Sequence, residues 1–487
     1  MTLLQPQPIP ALADLGRVHF IAVGGAGMSG VASAYLAKGL HVSGCDQSDS
    51  EAMAELARQG AEVWIGHDPH HLATADSVVV STAIRADNPE VVEAHRLGLP
   101  VLHRSVALSA LMEGYEVVSV AGTHGKTTTT AMCVAGLQAA GEDPSYVVGG
   151  TLVGTQTGSH IGLGPRFLVE ADESDGSFRQ YPTRIVVITS VDVDHLDNWG
   201  DPRSYAQGFD DFASAESVAL VIVDADNPGA RSLGQSLVTR GRPVMTYGQS
   251  ETSDVRLTDI VLDGGTSQAV VTYQDWSATL TINLPGLHNL HNACAALCLG
   301  LAIGADSHGF LTGLAGFRGT ARRFQRLGQS HQILVVDDYA HHPTEVAATV
   351  DAARLVAGKG RVIICFQPHL FSRTLQFADA FGAVLAGADE VVVVDIYPAR
   401  EDPIPGVTGA LVAQAVAAHS GHVTYVPLLD DAVDAVVGLA RPGDVVLTVG
   451  AGSVTNLGPQ ILASLEAREP KAGTAVLEPP VPADQED

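Results

Sequence analysis

Short runs of apolar, β-branched residues alternate with longer Ala-rich stretches along most of this chain. In its first part, apolar runs at Val18–Val23 and Val78–Ser81 are separated by stretches with helical spacing, Met28–Lys38 and Glu51–Gln59. Alternation of this kind is typical of a parallel sheet with helices on both faces. We therefore predict a Rossmann-like α/β domain over residues 1–114.

The alternation returns in a second block, which changes character part of the way through. A strand over Glu116–Val120 leads through a glycine turn into a helix over Lys126–Ala140. Between residues 250 and 285, Thr, Val and Asp alternate, which indicates an antiparallel hairpin region inserted in the domain. We predict a central α/β domain over residues 115–324.

A third block again alternates strands with helical segments. Its strands are predicted at Ile333–Val336, Val362–Phe366, Val391–Asp395 and Val445–Val449. This pattern predicts a second Rossmann-like domain over residues 325–467. Residues 468–487 are rich in Pro and acidic side chains, and we predict that they form a disordered tail.

Composition and charge narrow the class of protein. Of 487 residues, 54 are Asp or Glu and 27 are Lys or Arg, which gives a net charge of −27. Such an acidic chain repels phosphate backbones, so nucleic-acid binding is not expected. The chain has no apolar run of 18 residues, and its five cysteines are too few for a disulfide scaffold. We expect a cytoplasmic protein without membrane partners, either a monomer or a weak homodimer.

Two glycine-rich loops each lie between a predicted strand and a predicted helix. The first contains Gly25, Gly27 and Gly30, and Asp46 follows at the end of the next strand. This spacing matches a dinucleotide fingerprint, in which glycines let the backbone approach a diphosphate at a helix N-terminus. The pattern indicates NAD(P) or another nucleotide diphosphate, and a tight structural turn is the alternative.

The second loop reads Gly-Thr-His-Gly-Lys-Thr over residues 122–127. A P-loop needs backbone N–H groups around phosphate, a lysine for the β- and γ-phosphates, and a hydroxyl for Mg²⁺. Lys126 and Thr127 fit the last two roles, although the loop is shorter than the general pattern. In a chain with only four lysines, a chance lysine at this position is the weaker interpretation.

Acidic side chains follow the next two predicted strands. Glu170, Asp172, Glu173 and Asp175 come after the first, and Asp192, Asp194, His195 and Asp197 come after the second. In a parallel sheet these strand ends share an edge with the P-loop, where hard oxygen ligands suit Mg²⁺. Most of these residues also fit helix caps or solvated turns, and that alternative is weakest for Glu173 and His195.

Eight motifs in order resemble the Mur ligases, the amide-bond ligases of peptidoglycan precursor synthesis. They are GGAGMSG, AGTHGKTTTT, VEADESDGSF, DHLDNW, GLHNLHN, GFRGTARRFQ, DDYAHHPTE and FQPHLFSRT, and the resemblance covers nearly all of residues 18–455. It implies three α/β domains and an ATP- and Mg²⁺-dependent reaction. A substrate carboxylate becomes an acyl phosphate, which an amine then attacks. In the most similar branch the substrates are UDP-N-acetylmuramate and L-alanine.

The resemblance also implies roles for individual residues. The catalytic group it implies is Lys126, Glu173, His195, Arg323, His341 and Arg373. The ATP site it implies is Gly122, Thr123, His124, Gly125, Lys126, Thr127, Thr128, His288, Asn289, Asn292 and Asp338. Gly25, Gly27, Ser29 and Asp46 would bind the UDP part, and Tyr339, His341 and Arg373 the amino acid. The implied metal ligands are Thr127, Glu173 and His195.

Two departures bear on the choice among related functions. Leu370 occupies a position where many family members have Arg, which leaves selectivity among L-alanine, Gly and Ser open. No lysine lies between Lys126 and Lys359, so no carbamylated lysine bridges the metals as in sister ligases.

The main alternative is the recycling ligase that adds a tripeptide to the same sugar nucleotide. An NAD-dependent dehydrogenase and an ATP-binding regulatory module remain the alternatives from other classes.

Overall fold

The protein is described by a computed structural model that covers residues 3–153, 155, 158–399 and 401–468. The predicted disordered tail lies outside the described residues, apart from Arg468. The chain divides into two compact units. The first runs through Gln325 and includes Asp351–Val356, and the second comprises Arg326–Val350 and the chain from Ala357 on.

The first sheet of the first unit is entirely parallel, with the strand order β3-β2-β1-β4-β5. Its elements are β1 (Val18–Ile21), α1 (Ala26–Ala37), β2 (Val42–Asp46), α2 (Glu51–Arg58), β3 (Glu62–Ile65), β4 (Ser77–Val80), α3 (Pro89–Leu97), β5 (Val101–His103) and α4 (Arg104–Leu111). Local sequence fixes the helix ends, because the side chain of Asn88 accepts N–H bonds at the start of α3 and Gly98 ends it in a left-handed conformation.

The second sheet of this unit has ten strands, in the order β15-β14-β13-β12-β11-β10-β6-β9-β7-β8. The strands are β6 (Glu116–Ala121), β7 (Ser145–Val147), β8 (Ser159–His160), β9 (Arg166–Glu170), β10 (Ile185–Ile188), β11 (Leu220–Asp224), β12 (Val244–Gly248), β13 (Val255–Leu262), β14 (Ser267–Tyr273) and β15 (Trp276–Ile282). The helices are α5 (Lys126–Ala139), α6 (Leu196–Trp199), α7 (Pro202–Ala213), α8 (Pro228–Thr239), α9 (Leu287–Ala302) and α10 (Ser307–Gly316). The antiparallel pairing of β13, β14 and β15 confirms the predicted hairpin region.

The third sheet begins where the first unit ends, and its strand order is β16-β17-β21-β18-β19-β20. Its strands are β16 (Gln325–Ser330), β17 (Ile333–Asp338), β18 (Val362–Phe366), β19 (Glu390–Val393), β20 (Val423–Tyr425) and β21 (Val445–Val449). The helices in this part of the chain are α11 (Pro343–Ala357), α12 (Phe371–Leu385), α13 (Ala410–Ala418), α14 (Leu429–Leu439) and α15 (Leu457–Glu466). Three sheets with intervening helices confirm the predicted three-domain α/β fold, whereas the domain limits stay predictions.

The central sheet positions the candidate site. Strand β6 pairs in parallel with β9 on one side and with β10 on the other, so the segments that follow all three strands emerge at one sheet edge. Val118, Val120, Val187 and Leu168 are buried and hold these strands in the core. Among the described residues, no helix combines the length and apolar character that a membrane span requires.

Candidate active site

The P-loop lies between β6 and α5, and its glycines are required by close neighbours. Gly122 and Gly125 have φ of 138° and 81°, a region that favours glycine. A Cβ on Gly122 would lie 2.1 Å from Thr189 Oγ1, and one on Gly125 would lie 2.5 Å from Asn292 Oδ1. The loop is therefore packed against β10 and α9, which leaves no space for side chains at these two positions.

Lys126 lies folded over this loop at the first residue of α5. Its ammonium donates to the carbonyl oxygens of Gly122 (2.6 Å) and Thr123 (3.3 Å) and pairs with Glu173 Oε2 at 2.8 Å. Burial opposes the charged form, but the surrounding carboxylates, with Glu173 first, raise the pKa of Lys126. The lysine is thus held as a cation at the start of α5, beside the buried Glu173.

Glu173 is fully buried and forms the centre of the acidic cluster. Its Oε1 lies 3.5 Å from the hydroxyl of Tyr205 and 3.7 Å from His195 Nε2. Burial raises the pKa of Glu173, and the nearby charges of Lys126 and His195 only partly oppose this. His195 has φ of 54°, an uncommon conformation for a non-glycine residue, and this conformation accompanies the approach of its ring to Glu173.

Thr127, one of the predicted metal ligands, contacts a carboxylate that was not assigned to the site. Its hydroxyl lies 3.0 and 2.9 Å from the two oxygens of Glu170 at the end of β9. Thr127, Glu170, Glu173 and His195 together supply a hydroxyl, two carboxylates and an imidazole at one sheet edge. Hard oxygen donors predominate, so this donor set fits Mg²⁺. Glu170 was recognised in the sequence as part of an acidic run but was not assigned to the site.

The remaining P-loop side chains are held by the segment after β10. Thr123 Oγ1 lies 2.9 Å from the hydroxyl of Tyr205 and 2.9 Å from the carbonyl oxygen of Asp192. The His124 backbone N–H donates to Ser190 Oγ at 3.0 Å, and Thr128 is buried. These contacts hold the loop against the segment after β10 and against Tyr205 of α7.

Three further residues of the predicted ATP site, His288, Asn289 and Asn292, lie at the start of α9. Asn292 is buried, and its Oδ1 accepts from Thr129 Oγ1 at 3.2 Å, so it is next to the P-loop. Asn289 is buried as well, but its amide donates to the carbonyl oxygen of Pro285 at 2.8 Å. His288 is exposed. Asn292 thus contacts the helix that follows the P-loop, whereas the side chain of Asn289 is hydrogen-bonded to a backbone carbonyl four residues before it.

The first glycine-rich loop lies between β1 and α1. Asp46 accepts a hydrogen bond from the Gly24 N–H at 3.0 Å, so one of its oxygens holds the loop itself. The Gly25 carbonyl accepts from Met28 and Ser29 N–H groups at 2.9 Å at the helix start. A Cβ on Gly27 would lie 2.2 Å from Nη1 of Arg104.

Arg104 was missed by sequence reasoning, although its position is informative. It is the first residue of α4, and its Nη2 lies 3.6 Å from Asp172 Oδ2, in the acidic segment of the central domain. Burial opposes its charge, but Tyr181 and the acidic groups, with Asp172 first, raise its pKa. Burial alone would raise the pKa of Asp172, but the charges of Lys126 and Arg104 outweigh this effect and lower the pKa to about 2. The Asp172 carboxylate is therefore influenced by two cations, Lys126 of the P-loop and Arg104 of α4.

In the second unit, the predicted amino-acid pocket lies at the carboxyl ends of β17 and β18. The ring of His341 lies 5.2 Å from that of Tyr339 and 5.7 Å from that of His369. Arg373 is buried in the first turn of α12, and Asp338 Oδ1 accepts from the Ala340 N–H at 2.7 Å. Leu370, the residue before α12, has φ of 69° and is buried.

Arg323 and its neighbour Arg322 lie near the end of the first unit. The Arg323 N–H donates to the Thr320 carbonyl at 3.2 Å, and the Arg322 N–H donates to Gln325 Oε1 at 2.9 Å. Arg322 has φ of 61°, in the left-handed region, whereas Arg323 is not among the described residues with positive φ. The choice of Arg323 over Arg322 stays a prediction.

Comparisons with known proteins cover nearly all of the chain. Three family models match it: the Mur ligase family catalytic domain over residues 17–116, the Mur ligase middle domain over 120–300, and the Mur ligase glutamate ligase domain over 322–452. The UDP-N-acetylmuramate–L-alanine ligase of Cutibacterium acnes is 54% identical over 470 residues, which are 96% of this chain and 100% of that protein. The enzyme of the same name from a Nocardioides species is 48% identical over 468 residues, again 96% and 100%.

Solved structures show the same relationship in three dimensions. The UDP-N-acetylmuramate–alanine ligase of Thermotoga maritima aligns with a TM-score of 0.80 and 27% identity, covering 92% of this chain and 98% of that one. A murein peptide ligase from Psychrobacter arcticus aligns with a TM-score of 0.70 and 24% identity, covering 93% and 100%. At that identity the second match shows the fold alone.

Proposed function

This chain belongs to the Mur ligase family, and from that premise we propose that it joins L-alanine to the carboxylate of UDP-N-acetylmuramate in an ATP-dependent reaction. The observation that carries the proposal is the ion pair of the P-loop Lys126 with the buried Glu173, 2.8 Å apart, in a chain 54% identical to a UDP-N-acetylmuramate–L-alanine ligase. We propose that the reaction takes place in the cytoplasm, as a step of peptidoglycan precursor synthesis, in a monomer or weak homodimer.

The chemistry explains why a lysine is needed at this edge. A carboxylate is a poor acyl donor, so its oxygen first attacks the γ-phosphorus of ATP, and the bond to ADP breaks. The amine of L-alanine then attacks the carbonyl carbon of the acyl phosphate, loses a proton and expels phosphate. In the first step, negative charge builds up on the transferred group, where a fixed cation stabilises it. Lys126 is that cation, since its ammonium is already held by two carbonyl oxygens and Glu173.

The family's implied Mg²⁺ fits the donor set at this edge. Thr127, Glu173 and His195 are the ligands we propose, and Glu170 is added because it contacts the hydroxyl of Thr127. When bound, Mg²⁺ would neutralise phosphate charge. Within the chain, the hydroxyl of Thr127 lies within 3.0 Å of Glu170, and the hydroxyl of Tyr205 lies 3.5 Å from Glu173.

The sugar nucleotide would bind at the first glycine-rich loop, with its diphosphate near Gly25, Gly27 and Ser29. Arg104 lies against Gly27 and faces Asp172, so it is placed between this loop and the acidic segment. We propose that Arg104 contacts the anionic sugar nucleotide and that Asp172 holds the guanidinium in position beforehand.

The second unit would supply the amino-acid pocket. We propose that Arg373 binds the carboxylate of L-alanine, that Tyr339 and His341 line the pocket, and that Asp338 contacts the ribose of ATP. Leu370 takes the place of a possible second cation, so the carboxylate would have a single arginine partner. Selectivity for L-alanine over Gly or Ser would then depend on the fit of a methyl group, which distinguishes substrates by only about 1–3 kcal/mol.

The decisive experiment measures phosphate release with ATP, Mg²⁺, UDP-N-acetylmuramate and L-alanine, with each omitted in turn. We expect release to require all four and to fall at least about 10³-fold in Lys126→Ala, because the fixed cation is lost. The control is Lys359→Ala, since Lys359 is exposed and lies outside the P-loop. Turnover with the tripeptide but not with L-alanine would favour the recycling ligase. Folded protein that binds ATP but releases no phosphate with any amine would favour a regulatory module.

A further inference from the structure

A second buried cluster lies in the first sheet, and none of its residues is among those assigned above to the reaction. Glu90 on α3 is fully buried, and three imidazoles and a thiol surround its carboxylate. Cys45 Sγ and His67 Nδ1 lie 2.8 and 3.1 Å from Oε2. His71 Nδ1 lies 2.7 Å from Oε1, and His19 Nε2 lies 3.6 Å from the same oxygen.

The side chains come from four separate parts of the fold. His19 lies on β1, Cys45 on β2, His67 in the loop after β3, and Glu90 on α3. Ligand atoms of His19, Cys45 and Glu90 all lie within 4.8 Å of one another. Cys45 Sγ is also 3.1 Å from His67 Nδ1. Nitrogen, sulfur and oxygen donors thus converge on one small buried volume.

Hydrogen bonding alone leaves part of this cluster unexplained. Among the described residues, His19 Nε2 is buried and has no hydrogen-bond partner, although it faces the cluster. Its other nitrogen, Nδ1, lies 2.9 Å from Ser43 Oγ, which fixes the ring so that Nε2 points inward. An imidazole held by one nitrogen with the other aimed at carboxylate and sulfur is the usual arrangement of a metal-ligating histidine.

We propose that His19, Cys45, His67 and Glu90 form a site for a thiophilic divalent cation of the zinc class. A thiolate, two imidazoles and a carboxylate are ligands that Zn²⁺ accepts in a four-coordinate structural site, whereas Mg²⁺ prefers oxygen ligands alone. On binding, the Cys45 S–H bond breaks, a sulfur–metal bond forms and the proton leaves to solvent. His67 retains some exposure, 19% of its side chain, which provides a route of entry.

The neighbouring residues suit this role. The ring of His71 stacks on Trp64 at 4.6 Å with 8° between the ring planes, and its Nδ1 lies beside the other oxygen of Glu90. The contact with His71 orients the carboxylate of Glu90. The metal would join three adjacent strand segments to α3. It would also act next to Asp46, which follows Cys45 and holds the Gly24 N–H of the glycine-rich loop.

The test uses the full chain, freed of metal with a chelator and then titrated with Zn²⁺ or Co²⁺ in the absence of nucleotide. We expect one Zn²⁺ per chain, a higher Tm with Zn²⁺, and a Co²⁺ complex with thiolate charge-transfer absorption and intense visible bands. The charge-transfer band separates this site from the phosphate site, where no residue assigned above is a cysteine.

Two matched cysteine variants decide the assignment. Cys45→Ala should lose the charge-transfer band and weaken Zn²⁺ binding at least about 100-fold, the upper end of the range for lost metal-site interactions. Cys365→Ala, another buried strand cysteine, should bind as the parent does. His67→Asn, at a partly exposed position, serves if Cys45→Ala does not fold, and it should weaken binding at least about tenfold. Absence of the band in the parent protein, its persistence in Cys45→Ala, or unchanged Zn²⁺ affinity in His67→Asn would overturn the proposal.

Discussion

Two carboxylates, Glu90 in the first sheet and Glu173 in the central one, are equally buried, but their pKa values are shifted in opposite directions. Each is fully inaccessible to solvent and lies near imidazoles. For Glu90, burial is outweighed by the surrounding imidazoles and thiol, which lower its pKa to about 2. For Glu173, burial prevails and raises the pKa. The comparison shows that the number of close donors, and not burial alone, sets the charge of a buried acid.

The contacts account for this difference. Among the described residues, Glu90 has three side-chain partners within 3.1 Å, whereas Glu173 has Lys126 within that range and more distant contacts to Tyr205 and His195. In the metal-free protein, the partners of Glu90 join β2 and the segment after β3 to α3. Glu173 has fewer close partners, so its carboxylate keeps acceptor capacity at the sheet edge, which suits the Mg²⁺ proposed there.

Of the variants that test this comparison, Glu173→Gln should have the largest effect on activity. The amide keeps the shape but removes the charge that pairs with Lys126 and would bind Mg²⁺. We expect kcat to fall about 10²–10³-fold, the range found when one electrostatic group of an active site is removed. Steady-state phosphate release measures this, and circular dichroism checks the fold. If kcat stayed within a factor of about three, Glu173 would not belong to the catalytic group.

The same change at Glu90 should give the reverse result. In Glu90→Gln the amide NH₂ faces groups that donate to the carboxylate, so we expect metal-free protein to lose about 2–4 kcal/mol of unfolding free energy. The kcat of the folded fraction should stay near that of the parent. Urea unfolding followed by circular dichroism measures the loss.

A matched control lies on the same helix. Glu93 pairs with Arg96 at 2.6 Å on the exposed face of α3, so Glu93→Gln should change stability by less than about 0.5 kcal/mol. Equal losses in Glu90→Gln and Glu93→Gln would remove the distinction between the buried network and an ordinary surface pair.

The sequence predicted the two loops well because their signals are local. In the P-loop, the glycines, Lys126 and Thr127 lie within six consecutive residues, so a strand, a glycine turn and a helix start can be recognised from one short segment. The proximity of Glu173 and His195 was also predictable, because each follows a strand of the same parallel sheet and such segments emerge at one sheet edge. The fold class followed from the alternation of apolar runs with helical stretches.

The Glu90 cluster could not be found in this way. Its members, His19, Cys45, His67, His71 and Glu90, come from different elements, and no short motif joins them. Only the strand order β3-β2-β1 brings the first three together. Arg104 was missed for a similar reason, because its partners Gly27 and Asp172 are 77 and 68 residues away in the sequence. Contacts of this kind depend on tertiary packing that spacing does not encode.

Arg104→Gln tests whether the guanidinium of Arg104 binds the sugar nucleotide. We expect KM for UDP-N-acetylmuramate to rise about 10–100-fold, since a charged hydrogen bond of about 1.5–3 kcal/mol is lost. The KM values for ATP and L-alanine should change little. Arg96→Gln is the control, because Arg96 pairs with Glu93 on the surface. A rise in KM for all three substrates alike would indicate a structural role for Arg104.

The smallest expected effect concerns His103, which precedes Arg104 and caps α4. Burial lowers its pKa to about 4, although Asp175 opposes the shift. The unfolded chain, with an ordinary histidine pKa near 6.5, therefore binds the proton more readily. Stability from this group is complete above about pH 6.5 and is lost as the pH falls toward 4.

His103→Asn tests this, because asparagine keeps an acceptor for the Ser105 N–H but does not titrate. Urea unfolding at several pH values between 7 and 4 should show the parent losing about 1–3 kcal/mol more than the variant on acidification. Parallel pH profiles for the two proteins would mean that His103 keeps its ordinary pKa in the fold. The acid sensitivity of the first unit would then have to arise elsewhere, with the Glu173 cluster as the next group to examine, since the pKa of Glu90 lies below this pH range.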